Sequence, residues 1–132
     1  MSAPAASIDT SALLAFLNQE AGWEQAETWL DRGVVASALI VQELTSKLVQ
    51  KGAGRADAAA TVSELGLVIA DLTLPLAFDA GAMIAVTQPK GLSHGDRACL
   101  ALARSLSVPA VTADRPWADV SDDLGVSVEL IR

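Results

Sequence analysis

Short apolar runs recur along this chain, and each is followed by a stretch in which apolar residues return every three or four positions. This alternation constrains the fold more than any other feature. A strand that joins a parallel neighbour needs a crossover of a dozen or more residues, and a helix is its usual form. Residues 5–9 read as a first strand, leading into a helix through Leu13, Leu14, Phe16 and Leu17. A second helix covers about 23–30, where Glu20, Glu24, Glu27 and Asp31 make an acidic, solvated face. Gly33 punctuates, 34–37 is a second strand, and Ile40, Val41, Leu44 and Leu48 lie at helical spacing. Gly52 and Gly54 break that helix before another over 56–65.

The second half repeats the pattern. Residues 67–72 form a strand, and Pro75 opens a helix carrying Leu76, Phe78, Met83 and Val86. Residues 89–91 turn, and Ser93 starts a helix with Cys99, Leu102, Ala103 and Leu106 on its inner side. Strands follow at 109–112 and 127–131. The expected fold class is α/β: a three-layer α/β/α arrangement with a central parallel sheet. At 132 residues, a single domain over 1–132 is expected.

Residue counts narrow the chemistry. Cys99 is the one cysteine and His94 the one histidine, which excludes an intramolecular disulfide, a Cys-based zinc cluster and a multi-His metal site. No apolar run approaches the roughly 20 residues of a bilayer span. Residues 1–8 carry no Lys or Arg and no long apolar core, against a secretory signal, so the expected setting is the cytoplasm. The net charge is −7, with only Lys47, Lys51 and Lys90 as lysines. No broad basic face for nucleic acid is available. Gathered carboxylates that hold divalent cations offer another route, because the metal supplies the positive charge that phosphate needs.

Four acids stand at telling places. Asp9 ends the first strand and Asp114 follows the strand at 109–112. Asp96 lies three residues after Ser93, and Glu43 sits one turn inside the helix after strand two. Singly, each has an ordinary explanation: Asp9 and Asp114 as caps, Asp96 in a capping box, Glu43 as a surface pair with Lys47. In a parallel sheet, however, the carboxyl ends of the strands share one rim, where ligands bind. Carboxylates clustered there repel one another unless protons or cations neutralise them. Hard oxygen donors without His or Cys select Mg²⁺ or Mn²⁺, which activate water and clamp phosphate for in-line attack.

At these residues the chain resembles the PIN-domain ribonucleases, and more closely the VapC-type toxins of bacterial toxin–antitoxin pairs. The matching pieces are Ile8-Asp9-Thr10-Ser11-Ala12-Leu13-Leu14, Ser37 through Val41-Gln42-Glu43-Leu44, Gly91-Leu92-Ser93-His94-Gly95-Asp96-Arg97-Ala98-Cys99-Leu100-Ala101-Leu102-Ala103, and Thr112-Ala113-Asp114-Arg115-Pro116-Trp117. The last two together are the specific ones. The resemblance implies a PIN-like fold and a metal-dependent endoribonuclease whose catalytic acids are Asp9, Glu43, Asp96 and Asp114. Asp9 and Asp96 are implied as direct metal ligands, Glu43 and Asp114 partly through water, with Ser11 and Thr112 as supporting hydroxyls. It further implies an RNA substrate, a homodimer, and a cognate antitoxin that neutralises the toxin and carries any DNA binding. Transfer, ribosomal and messenger RNA all stay open as targets.

Other residues have plainer readings. His94 reads as an exposed helix-start residue, Cys99 as a small buried one, and Trp23, Trp29 and Trp117 as core or interface anchors. Arg97 is expected either at phosphate or paired with one of the acids. Asp119, Asp122 and Asp123 read as a solvated loop. A phosphoacceptor receiver domain is excluded because no Lys follows Lys90, and a haloacid-dehalogenase-like phosphatase because Ser11 stands where its second Asp belongs. The alternative of another class is a metal-free PIN-like interaction module without nuclease activity.

Overall fold

Five short strands lie side by side in the computed structural model of the protein, which describes residues 3–132. They are β1 (Ser7–Ile8), β2 (Val35–Ser37), β3 (Val68–Ala70), β4 (Ala110–Thr112) and β5 (Val128–Leu130). All pair in parallel, in the order β3-β2-β1-β4-β5, so the α/β expectation holds. Met1 and Ser2, which belong to the stretch read against a secretory signal, lie outside the described residues. Among the described residues no helix is long and apolar enough to cross a membrane.

The strands are one to three residues shorter than the apolar runs suggest, because only their middles pair regularly. Pairing nonetheless reaches past the ends: Ala5 N–H donates to Gly33 O, and Asp9 N–H to Val111 O at 3.1 Å. Ser7 faces Val35 on one side and Ala110 on the other, which puts β1 at the centre of the sheet. The order reverses between β1 and β4, the switch point of a doubly wound sheet.

The crossovers are α1 (Thr10–Asn18), α2 (Trp23–Arg32), α3 (Ala38–Gln50), α4 (Arg55–Glu64), α5 (Leu74–Ala82), α6 (Ile84–Thr87) and α7 (His94–Leu106). Parallel crossovers are right-handed. The switch in strand order therefore sets α1–α4 on one face and α5–α7 on the other. Packing agrees: α1 lies against α2 and α3, α3 against α4, and α5 against α7. Between the layers Ile8, Leu13, Ile40, Leu44, Leu100 and Val111 are buried. Gly22 (φ 90°) lets the turn after α1 rest directly on the Ile131 backbone, where any Cβ would collide.

Two expectations need correction. The helix expected to run through Met83 to Val86 breaks at Met83 into α5 and α6. The chain tightens there (φ −64°, ψ −14°), with the Met83 side chain buried in the core. The segment after β4 is not a loop. It forms a 3₁₀ turn over Arg115–Asp119 and then α8 (Ser121–Leu124), pinned by the fully buried Trp117. Asp119, Asp122 and Asp123 are solvated as expected, but on helical turns.

Candidate active site

Two of the acids are brought to the carboxyl rim by helix caps. Asp9 leaves β1 in extended conformation (φ −99°, ψ 173°) and caps α1, its Oδ1 accepting from Ala12 N–H at 2.9 Å. Ser93 and Asp96 form a reciprocal capping box at the start of α7. Asp96 Oδ2 accepts from Ser93 N–H at 2.8 Å. Asp114 follows β4 as the cap residue of the 3₁₀ turn, yet its side chain makes no capping bond. The cap reading thus accounts for Asp9 and Asp96 in part, and for the Asp114 carboxylate not at all.

The four acids line one open cleft of about 560 Å³, together with Thr10, Ser11, Leu14, Gln42, Ser46, Lys47, Gln50, Ala113 and Arg132. The expected pairing of Glu43 with Lys47 does not form. Glu43 Oε1 instead accepts from Thr10 Oγ1 at 3.0 Å, which ties α3 to α1 at the rim.

Asp9 is the best-held carboxylate. Ser11 Oγ reaches both of its oxygens at 2.9 Å, and Thr112 Oγ1 donates to Oδ2 at 2.6 Å, the short length of a charge-assisted bond. Those hydroxyls are themselves fed from β4. Ala113 N–H donates to Ser11 Oγ at 2.9 Å, and Asp114 N–H to Thr112 Oγ1 at 3.0 Å. Two backbone amides beyond β4 are thereby relayed onto the acid beyond β1.

Burial still wins. It pushes the Asp9 carboxyl up to about 7, against the lowering by Thr112, Ala12 and Ser11, and the neighbouring Asp96 adds to the rise. Asp96 is raised too, chiefly by burial, with the Asp114 charge contributing. Burial likewise pushes the Cys99 thiol up, Asp9 adding to it, and Ser7 Oγ holds the sulfur at 3.3 Å. Cys99 is therefore an inert core residue.

The donor set at the rim consists of hard carboxylate oxygens whose mutual repulsion is relieved by positive charge, so it suits a cation of the Mg²⁺ or Mn²⁺ kind. Among the described residues, no three His, Cys, Asp or Glu side chains stand close enough together to enclose an ion as they are oriented.

Arg97 takes neither of its expected places. It is buried, with Nη1 donating to Leu92 O at 2.9 Å and Nη2 meeting His94 Nδ1 at 3.0 Å. The guanidinium thus braces the loop before α7. His94 is exposed, as expected. Asp119 lies away from the cleft, paired with Lys90 at 3.2 Å on the surface. Trp117 is a core anchor, buried with its Nε1 unpartnered, and Trp29 stacks under Arg32 with 4.4 Å from guanidinium to ring centre.

Sequence reasoning missed Thr10 and the polar wall of α3. Gln42, Ser46 and Gln50 recur at four-residue spacing, a signal that one helix face was committed to something other than core. Arg132 offered no such signal. It reaches the cleft from the chain end, where it pairs with Glu20 at 3.5 Å.

Comparison with known proteins agrees with this architecture. The family model of the PIN domain matches residues 6–123. The crystal structure of Mycobacterium tuberculosis VapC20, a sarcin-ricin loop cleaving toxin, is similar with a TM-score of 0.69 at 18% identity, covering 86% of this chain and 92% of its own. VapBC2 from Rickettsia felis, solved bound to a DNA fragment from its promoter, is similar with a TM-score of 0.69 at 15% identity, covering 93% of this chain and 96% of its own. Likeness at these identities is a likeness of fold. No curated protein matches the sequence.

Proposed function

Because the chain belongs to the PIN-domain family, we propose that it is a VapC-type toxin, an endoribonuclease that hydrolyses RNA phosphodiester bonds with Mg²⁺ or Mn²⁺. The observation that carries this reading is the shared cleft of Asp9, Glu43, Asp96 and Asp114 at the switch point of the sheet. Asp9 and Asp96 would hold the cation directly, and Glu43 and Asp114 would act partly through water. When bound, the cation lowers the pKa of a water and offsets phosphate charge. Ser11 and Thr112 fix the orientation of Asp9, and Thr10 that of Glu43. Lys47 and Arg132, the basic side chains lining the cleft, meet phosphates that flank the scissile one.

The setting is the cytoplasm, the domain is single, and the partners are a second copy of the chain and a cognate antitoxin. Exposed apolar side chains support a protein partner: Leu74 is 68% and Phe78 70% exposed on α5. The net charge of −7 suits an antitoxin tail presenting Arg or Lys to the acids. DNA is met only through the antitoxin.

Dialysis against EDTA, followed by return of Mg²⁺ or Mn²⁺, tests the chemistry on a nuclease-free preparation and a structured RNA. Cleavage stops and is restored. Undiminished cleavage in excess EDTA would sink the mechanism. A chain inert under every metal condition yet bound to a partner would be the metal-free interaction module instead.

A further inference from the structure

Gly95 is buried in the first turn of α7, between His94 and the cleft residue Asp96. A Cβ built on it would fall inside the Glu43 carboxylate, overlapping both oxygens and the carbon between them. Its backbone is not in the left-handed region, so conformation alone does not call for glycine there. Space does. The same carboxylate is held through Oε1 by Thr10 Oγ1 at 3.0 Å. Glu43 therefore meets a hydroxyl from α1 and bare backbone from α7, although it comes from α3.

We propose that Gly95 is a positioning residue for the nuclease reaction: its missing side chain is the seat that lets Glu43 reach the acid cluster, with the Thr10 hydroxyl holding the seated carboxylate through Oε1. The inference rests on the reading of Glu43 as a member of the metal-holding quartet. Glu43 is long and flexible, and the atoms that a Cβ would meet are its far end. A methyl group at position 95 thus evicts the carboxylate and leaves the core in place. Damage falls on cation binding and cleavage while the fold survives, the reverse of an ordinary buried Gly→Ala change.

The test compares Gly95→Ala, Glu43→Ala, Glu43→Asp and the double variants by Mn²⁺ titration, RNA cleavage and thermal melting without metal. Gly95→Ala is expected to weaken Mn²⁺ binding and to slow cleavage, each about tenfold or more, with an unchanged metal-free melting temperature. Glu43→Asp shortens the side chain by one methylene. It lowers Mn²⁺ affinity alone but raises it at least threefold in the Gly95→Ala background, a reversal of sign that general loosening of α7 does not produce. If Gly95→Ala binds Mn²⁺ like the parent while Glu43→Ala does not, the seat is overturned and the quartet stands. If Glu43→Ala is also silent, Glu43 leaves the quartet and the seat falls with it. Should Gly95→Ala fail to fold, the Glu43→Ala/Gly95→Ala variant decides. Recovery of folding supports the steric contact, and continued unfolding overturns it, because the glycine then serves α7 alone.

Discussion

The rim between β1 and β4 and the outer elements β3 and α5 break opposite rules. At the rim an acid is buried: Asp9 is 2% exposed and shares its cleft with three more carboxylates. At the edge apolar side chains stand in water, with Val68 58% and Phe78 70% exposed. Neither arrangement is the cheapest for an isolated chain, since buried charge and exposed large apolar groups both carry a cost. What distinguishes them is how each is built. The rim is braced from several elements at once, with Ser11, Thr112 and Ala12 all bonded to one carboxylate. The edge is an outer strand with one neighbour, β2, and nothing beyond it. On the proposed function the contrast has a simple reading: a site for a small ion is pre-organised, whereas a surface for another chain is completed by its partner.

The largest expected effect sharpens the rim. Asp9→Asn keeps the α1 cap, because Asn is as good there as Asp. Cleavage of RNA should fall roughly 10²–10³-fold, the scale of removing one electrostatic contributor to a transition state. Stability without metal should rise at neutral pH, and the sign follows from the pKa. Burial holds the Asp9 carboxyl up at about 7 in the fold, against 3.8 for an unperturbed aspartate, so the folded chain keeps a proton that the unfolded chain has lost. Below about pH 4 both states are protonated and this site costs nothing. Stability is lost as pH rises from about 4 to 7, by at most about 4 kcal/mol, and is flat above that. Chemical denaturation across this range should show the slope in the parent and a shallower one in Asp9→Asn, where the raised Asp96 carboxyl remains. A parent curve that rises through the window breaks the account.

The edge should respond in the other currency, association. Phe78→Ser removes little packing within the chain, so monomer stability should change by less than about 0.5 kcal/mol. Self-association or antitoxin binding should weaken tenfold or more, as read by sedimentation. Equal effects of Phe78→Ser and of a core truncation on monomer unfolding would erase the distinction between edge and core. The smallest effect belongs to neither region. Lys90→Ala removes the surface pair with Asp119 and should shift unfolding by under about 0.5 kcal/mol.

Much of the rim is legible in the sequence for one physical reason. In a parallel sheet, strand ends share an edge, so Asp9 and Asp114 are neighbours as soon as strands are recognised. Ser11 and Thr112 are implied only by the family resemblance, and both hydroxyls bond Asp9. Thr10 and Gly95 are not legible that way. Their importance arises from contacts with Glu43, 33 and 52 positions distant, and no local pattern encodes a missing Cβ. Arg97 misleads for a related reason. Its neighbour Asp96 suggests an acid partner, but successive helical residues point in different directions, and the guanidinium turns to Leu92 O. The break at Met83 and the helical turns after β4 depend on how Met83 and Trp117 enter the core, which is decided by tertiary packing.

The pairing of β1 with β4 also sets when the cleft comes into being. Thr112 and Asp9 meet across 103 positions of chain, and parallel contacts of such separation form late because the loop between them must close first. A ribosome releases the N-terminal residues of a chain long before residues near position 112 emerge. The helices α1–α4 can begin to gather around β2 during that interval, but Asp9 lacks its Thr112 hydroxyl and Asp96 lacks its neighbour Asp114. The acid cluster is therefore assembled late in folding, once the segment that carries β4 docks beside β1.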